Sequence, residues 1–174
     1  MKVESIWILL LVAIVAAATA GTAWYHTVAS LGELRAGGLE PIAALLKQDQ
    51  DLLQRLQADG ATDKAGGILG SYLAKIRADG LPKHADMKQK LDQLAENNSA
   101  IVALVNVYAP HAKTAAFRAE AAKFQRYAIA WRDRWNSVME LFMAGGNYPV
   151  AEAPFPAEFA SVVDEEIKAA RRTL

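Results

Sequence analysis

The chain has 174 residues, in which 19 lysines and arginines are balanced by 19 aspartates and glutamates. That balance, with no long run of one sign, excludes the basic face that a nucleic-acid partner demands. There is no cysteine, which excludes disulfides, thiolate metal sites, thiol nucleophiles and haem held through Cys-x-x-Cys-His.

Residues 6–25, from Ile6 to Tyr25, carry no charge, and the next charged side chain is Glu33. An apolar helix of roughly 20 residues spans a bilayer core of about 30 Å. Trp7 at one end and Trp24-Tyr25 at the other suit the two interfaces, where indole and phenol rings favour the headgroup level. The competing reading is a cleaved secretory signal, because Ala18-Thr19-Ala20 has the small-x-small form of a cleavage site. The apolar run continues past Ala20, and Glu4 offsets Lys2 in the leading segment, so an uncleaved anchor is the preferred reading. Lys2 and the terminal amine then place residues 1–5 in the cytoplasm. Everything from about residue 27 lies on the extracytoplasmic side under either reading. The expected location is a bacterial inner (cytoplasmic) membrane, single-pass, with a periplasmic domain. Cleavage near Ala20 would instead release that domain to the periplasm.

Beyond the anchor the pattern is helical throughout. Alternating stretches are absent, and Ala, Leu, Gln, Lys and Glu dominate between breaks. Gly37-Gly38 and Pro41 mark residues 26–40 as a membrane-proximal linker, with Pro41 at a first helical position and residues 41–174 as the exported bundle. Ile42, Leu45, Leu46, Leu52, Leu53 and Leu56 form the first stripe, stopped by Gly60. A shorter helix over about 63–78 buries Ile68, Leu69, Tyr72, Leu73 and Ile76, and Gly80 ends it.

The third helix opens near Pro82 and runs to Ala109. Met87, Leu91, Leu94, Asn98, Ile101, Val105 and Tyr108 keep a strict 4-3 spacing, a heptad seam with one polar member. The fourth helix, about 112–144, is nearly 50 Å long at 1.5 Å per residue. Phe117, Phe124, Trp131 and Val138 repeat every seven residues in it, beside Ala121, Ala128, Trp135 and Phe142. The nine-residue step from Tyr108 to Phe117 breaks the heptad phase and turns the face by about 200°. It predicts a reversal near 109–111 and two long antiparallel helices. Gly145-Gly146-Asn147-Tyr148-Pro149 closes the fourth helix. A last helix over about 156–172 turns Phe159, Val163, Ile167 and Ala170 inward, with Glu158 early and Lys168, Arg171 and Arg172 late to complement its dipole. The expected fold is all-α: an N-terminal transmembrane helix, then an antiparallel four-helix-type bundle with coiled-coil-like seams.

Candidate chemistry is sparse. His26, His84 and His111 do not converge, and no His-x-x-x-His or Glu-x-x-His pair is present. No Gly-x-Ser-x-Gly, phosphate-binding glycine loop or Ser-x-x-Lys occurs. The reading is therefore a non-enzyme without cofactor or metal. Asn98 and Asp49 interrupt apolar stripes. They either line a polar pocket inside the bundle or are satisfied locally, Asn98 at a bend or facing water and Asp49 on an exposed helix turn. The second reading is preferred, because isolated polar residues are usually satisfied nearby. Tyr127, Trp131 and Trp135 fit either a ring-stacking site, with Arg132 or Arg134 holding an anion, or plain core packing, which heptad aromatics favour. Tyr148 and Phe155, among the prolines of 145–156, either dock against a neighbour or fold back onto the bundle.

One N-terminal span followed by an exported helical bundle resembles the layout of LemA-type proteins and of chemoreceptor sensor modules. The likeness is one of layout and implies no family. The functional expectation is an accessory or assembly subunit that contacts a membrane or periplasmic protein, with homo-oligomerisation through a seam as a further option. The alternative is a small-molecule sensor or carrier with a pocket near Asn98, Tyr127 and Trp131.

Overall fold

A computed structural model describes residues 36–61, 67–146 and 154–172, and these are helical without strands. The apolar run 6–25 lies outside the described residues. Among those described, no helix is long and apolar enough to cross a membrane. The described residues form five helices: α1 over residues 36–58, α2 Gly67–Asp79, α3 Ala85–Tyr108, α4 Ala115–Ala144 and α5 Glu158–Arg171. Short 3-10 turns, Leu81–His84 and Ala109–His111, precede and follow α3.

The helix stops are those read from the glycines. Gly60, Gly80 and Gly145 all take positive φ, a conformation in which other residues are strained. The Gly145 and Gly146 N–H groups bond back to the Phe142 and Leu141 carbonyls and close α4. Arg77 of α2 adds guanidinium bonds to the Leu141 carbonyl at 2.9 Å and to the Gly146 carbonyl. At the other end of α4, the Thr114 hydroxyl accepts the Phe117 N–H at 3.1 Å as an N-cap.

The start of α1 departs from the expectation. Residues 36–40 are already helical, so Pro41 is not a first helical position, and the linker does not reach residue 40. Ala36 and Leu39 are fully buried, which holds this turn in the helix. Gly37 and Pro41 both face solvent. The Gly37 carbonyl, deprived of a donor by the proline four residues later, is therefore open to water.

The heptad seams form the core. All seven seam residues of α3 are buried, and so are Phe117, Ala121, Phe124, Ala128, Trp131, Trp135 and Val138 of α4; Phe142 is half-buried. The two helices are antiparallel. Tyr108 meets Phe117 edge-on with centroids 5.2 Å apart, Gln125 donates to Asn106 at 2.7 Å, and the Trp135 indole donates to Asp92 at 3.2 Å. The reversal at 109–114 therefore stands as the heptad slip predicts.

Helix α1 runs antiparallel to α3. Gly38 lies beside Tyr108, Asp49 bonds Asn97 and Asp59 pairs with Lys90. Helix α5 covers the first half of α4, with Phe159 stacked on Phe124 at 5.0 Å. Helix α2 covers the second half, with Tyr72 5.6 Å from Trp135.

One buried carboxylate ties the reversal to α5. Glu166 is fully buried, where Ile167 was the expected inward residue; Ile167 is only half-buried. Its carboxylate accepts from the Tyr108 hydroxyl at 3.0 Å, the Thr114 N–H at 2.9 Å, the Thr114 hydroxyl at 2.6 Å and the Lys113 N–H. Burial is the largest single influence and pushes its pKa up. The four hydrogen bonds together outweigh it and hold the group below its ordinary 4.5.

Truncation to Glu166→Ala would strand Tyr108 and the first amides of α4, and is expected to lower stability by roughly 3–5 kcal/mol in urea unfolding at neutral pH. Because the folded pKa lies below the unfolded one, this contribution is complete above about pH 4.5 and fades as pH falls through the folded value. Unfolding at pH 3–4 should therefore show a smaller gap between wild type and variant.

Candidate polar sites within the bundle

The residues singled out from sequence separate into three groups. Tyr127, Trp131 and Trp135 are buried in the common core. Tyr127 packs against Phe124 and Phe155, and Trp131 stacks on Trp135 at 6.3 Å. Asp92 accepts the Trp135 indole and pairs with Lys88 at 2.7 Å, and the Lys88 ammonium lies 5.9 Å from the Trp135 ring centroid. The aromatic cluster is thus covered by residues of its own chain. Phe155 meets Phe124 and Tyr127 edge-on, so this part of the proline segment folds back onto the bundle. Tyr148 lies outside the described residues.

Arg132 is exposed and pairs with neighbouring Asp133 at 3.2 Å, and Arg134 is half-buried. They do not converge on one anion. His84 bonds Asp79 at 3.0 Å, His111 is exposed and His26 lies outside the described residues. Among the described residues no group of three or more His, Asp or Glu side chains is placed to hold a metal ion.

Asn98 and Asp49 overturn the preferred expectation. Both are fully buried; neither faces water. Asp49 accepts from the Asn97 amide at 2.8 Å, and Asn97 is in turn bonded by Gln93 at 3.0 Å and reaches Gln48 at 3.5 Å. The second Asp49 oxygen, Oδ2, has no partner. Burial pushes the Asp49 carboxyl up to about 7, and the Asn97 bond only partly offsets this. Beside this chain of amides a surface groove of about 320 Å³ runs between α1 and α3, lined by Gln48, Asp51, Leu52, Arg55 and Gln93.

Asn98 faces the other side of α3. Neither its Oδ1 nor its Nδ2 finds a hydrogen-bond partner. It lines a cleft of about 70 Å³ between α3 and α4 with Ser99, Val102, Ala128, Ile129 and Arg132. Ile129 at the rim is 45% exposed, and Val107 further along α3 is 74% exposed. An unpaired buried amide is unfavourable by about 1–3 kcal/mol, so this cleft is the least satisfied place in the described core. The geometry joins two polar centres at one level of the bundle, one on each side of α3.

Asn97, Asp92 and Glu166 were not singled out from sequence. Glu166 was legible: it completes the 4-3-4 spacing of Phe159, Val163 and Ala170 on one face, but an acid at that place was passed over for the adjacent isoleucine. Asn97 carried no such signal, since its role depends on a residue 48 positions away.

No family model, curated protein or solved structure matches this chain.

Two outcomes are expected from these groups. A folded-state pKa of about 7 against an ordinary 3.8 means the native state holds the Asp49 proton more tightly. Stability should then fall as pH rises from about 4 to about 7 and level off above it, by up to roughly 4 kcal/mol. Asp49→Asn should remove this slope and be the more stable protein at pH 8, as read by urea titrations across pH. Asn98→Leu should raise stability by about 1–3 kcal/mol in the same assay, because it removes two unpaired polar atoms without opening a void.

Proposed function

We propose that this chain is a non-enzymatic, single-pass membrane protein whose extracytoplasmic bundle docks against a second protein, as an accessory or assembly subunit of a membrane complex. The observation that carries the reading is the α3–α4 cleft, where a fully buried Asn98 has both amide atoms unpaired beside an exposed Ile129. A polar group retained in a seam at a cost in stability is best attested as a specifier of pairing. A partner helix lying along α3 and α4 would cover Ile129 and bring a polar side chain to Arg132 at the rim of the cleft. The anchor reading rests on the uncharged run 6–25 with its terminal aromatics. The burial of Tyr127, Trp131 and Trp135 also favours surface contact over a ring-binding pocket in that region.

One observation favours a second reading, a sensor or carrier of a small polar molecule: the groove of about 320 Å³ between α1 and α3 with its amide and charged lining. The two readings use opposite sides of α3 and are separable.

The full-length chain purified from native membranes in mild detergent is expected to retain a membrane protein in stoichiometric amount, identified by mass spectrometry. Ile129→Glu, an exposed change, should lose that partner while keeping the wild-type melting temperature. Recovery of a lone chain would overturn the accessory-subunit reading. A lone chain missing its first 20 or so residues would overturn the anchor as well and leave the carrier reading.

A further inference from the structure

Gln48, Asp51, Leu52 and Arg55 follow the i, i+3, i+4, i+7 spacing of one face of α1. With Gln93 of α3 they line the groove of about 320 Å³. Asp51 and Arg55 are exposed and stand one helical turn apart, and neither has an ion pair among the described residues. The other exposed charges of the two helices are engaged or lie elsewhere. Asp59 and Asp86 take Lys90, Lys88 pairs with Asp92, and Glu40 holds Arg171. Lys47 and Glu96 are exposed outside the lining. The groove wall thus carries one acid and one base. Buried groups set its two amides. Asp49 accepts from the Asn97 Nδ2 at 2.8 Å, and this turns the Asn97 NH2 group towards α1. The same nitrogen reaches Gln48 Oε1 at 3.5 Å, and the Asn97 Oδ1 is left to accept from Gln93 Nε2 at 3.0 Å. A side-chain amide held by its nitrogen offers its oxygen, and one held by its oxygen offers its NH2 group. Gln93 therefore offers an acceptor and Gln48 a donor, and neither group has a further partner among the described residues.

We propose that this groove binds a small zwitterion, a molecule with one carboxylate and one ammonium such as a free amino acid, with its carboxylate on Arg55 and its ammonium on Asp51. The inference rests on the sensor or carrier reading above and gives that reading its ligand class. Charge sets the class: a wall with one cation and one anion matches a molecule bearing both charges, whereas a simple anion or cation would face one like charge. The Arg55 guanidinium suits a planar carboxylate, and the Gln48 donor and Gln93 acceptor add one hydrogen bond of each kind. Leu52, half-buried between them, gives the carbon skeleton an apolar contact. Size agrees, since residues 48–55 span ~10 Å of helix axis, the scale of a small molecule. The buried Asp49 and Asn97 gain a role here. They touch no ligand and hold the two glutamines in fixed orientation, which limits the ordering that binding would otherwise require.

The test is isothermal titration of the full-length chain in mild detergent near neutral pH. The zwitterionic probes are L-alanine, L-leucine and L-glutamine, added singly at millimolar concentration. Propionate, isopropylammonium and glucose are the probes that lack one or both charges. At least one amino acid is expected to bind saturably, with propionate and isopropylammonium at least about tenfold weaker, because each forfeits a charge-assisted contact. Arg55→Gln and Asp51→Asn should each weaken the amino acid by a similar factor, and Lys47→Gln, beside the groove, should leave it unchanged. All three positions are exposed, so the melting temperature should be held. Propionate, isopropylammonium or glucose binding as tightly as the amino acids, or amino-acid binding that survives either Arg55→Gln or Asp51→Asn, would overturn the zwitterion and leave the carrier reading in place. No response to any of the six probes would overturn both. The docking reading is untouched by either result, because Ile129 lies on the other side of α3.

Discussion

The Glu166 carboxylate is the constraint on which the arrangement of this bundle turns. Its four donors come from the end of α3, the reversal and the cap of α4, so one side chain of α5 fixes three other segments. A carboxylate withdrawn from water without a cation is strongly unfavourable unless its lone pairs are filled. Here backbone amides at a helix N-terminus fill them, and the helix dipole adds to the attraction. The direction of those amides sets where α4 begins. From that start the heptads of α3 and α4 meet in register, which places Asn98 opposite Ala128 and Trp135 against Asp92. The same clamp gathers the entry of α1 and the basic last turn of α5 at one end.

Three buried polar groups in the described core form a graded series. Glu166 is fully satisfied, Asp49 has one oxygen bonded and one not, and Asn98 has nothing. A fully bonded carboxylate stabilises and orients. A half-bonded one makes α1 against α3 sensitive to protonation near neutrality, because burial disfavours the charge. An unbonded amide at a cleft lowers stability without orienting anything. The aromatic residues point the other way. Trp131, Trp135 and Tyr127 are covered by neighbours in the same chain, so their large apolar surfaces belong to folding.

Much of the fold was legible. The glycine stops, the two heptad seams and the phase slip between Tyr108 and Phe117 all follow from local periodicity and backbone preference, and each appears where that logic puts it. Besides Ile167, taken as inward in place of the adjacent Glu166, two features were misread for identifiable reasons. Gly37, Gly38 and Pro41 looked like helix breakers, but burial of Ala36 and Leu39 carries the helix through them, since tertiary packing outweighs about 1 kcal/mol of propensity per glycine. Asp49 and Asn98 looked like locally satisfied polar residues, because a polar residue in a stripe is ordinarily at its edge.

The sequence by itself determined the helices, their order, their apolar faces and the antiparallel turn, because those depend on residues within one or two helical turns of each other. The tertiary structure alone decided which polar residues are shut inside and which of them find partners. Asp49 meets its amide 48 residues away, and Glu166 meets Tyr108 58 residues away. Contacts at that separation arise only when helices are packed against one another, and helical period carries no record of them.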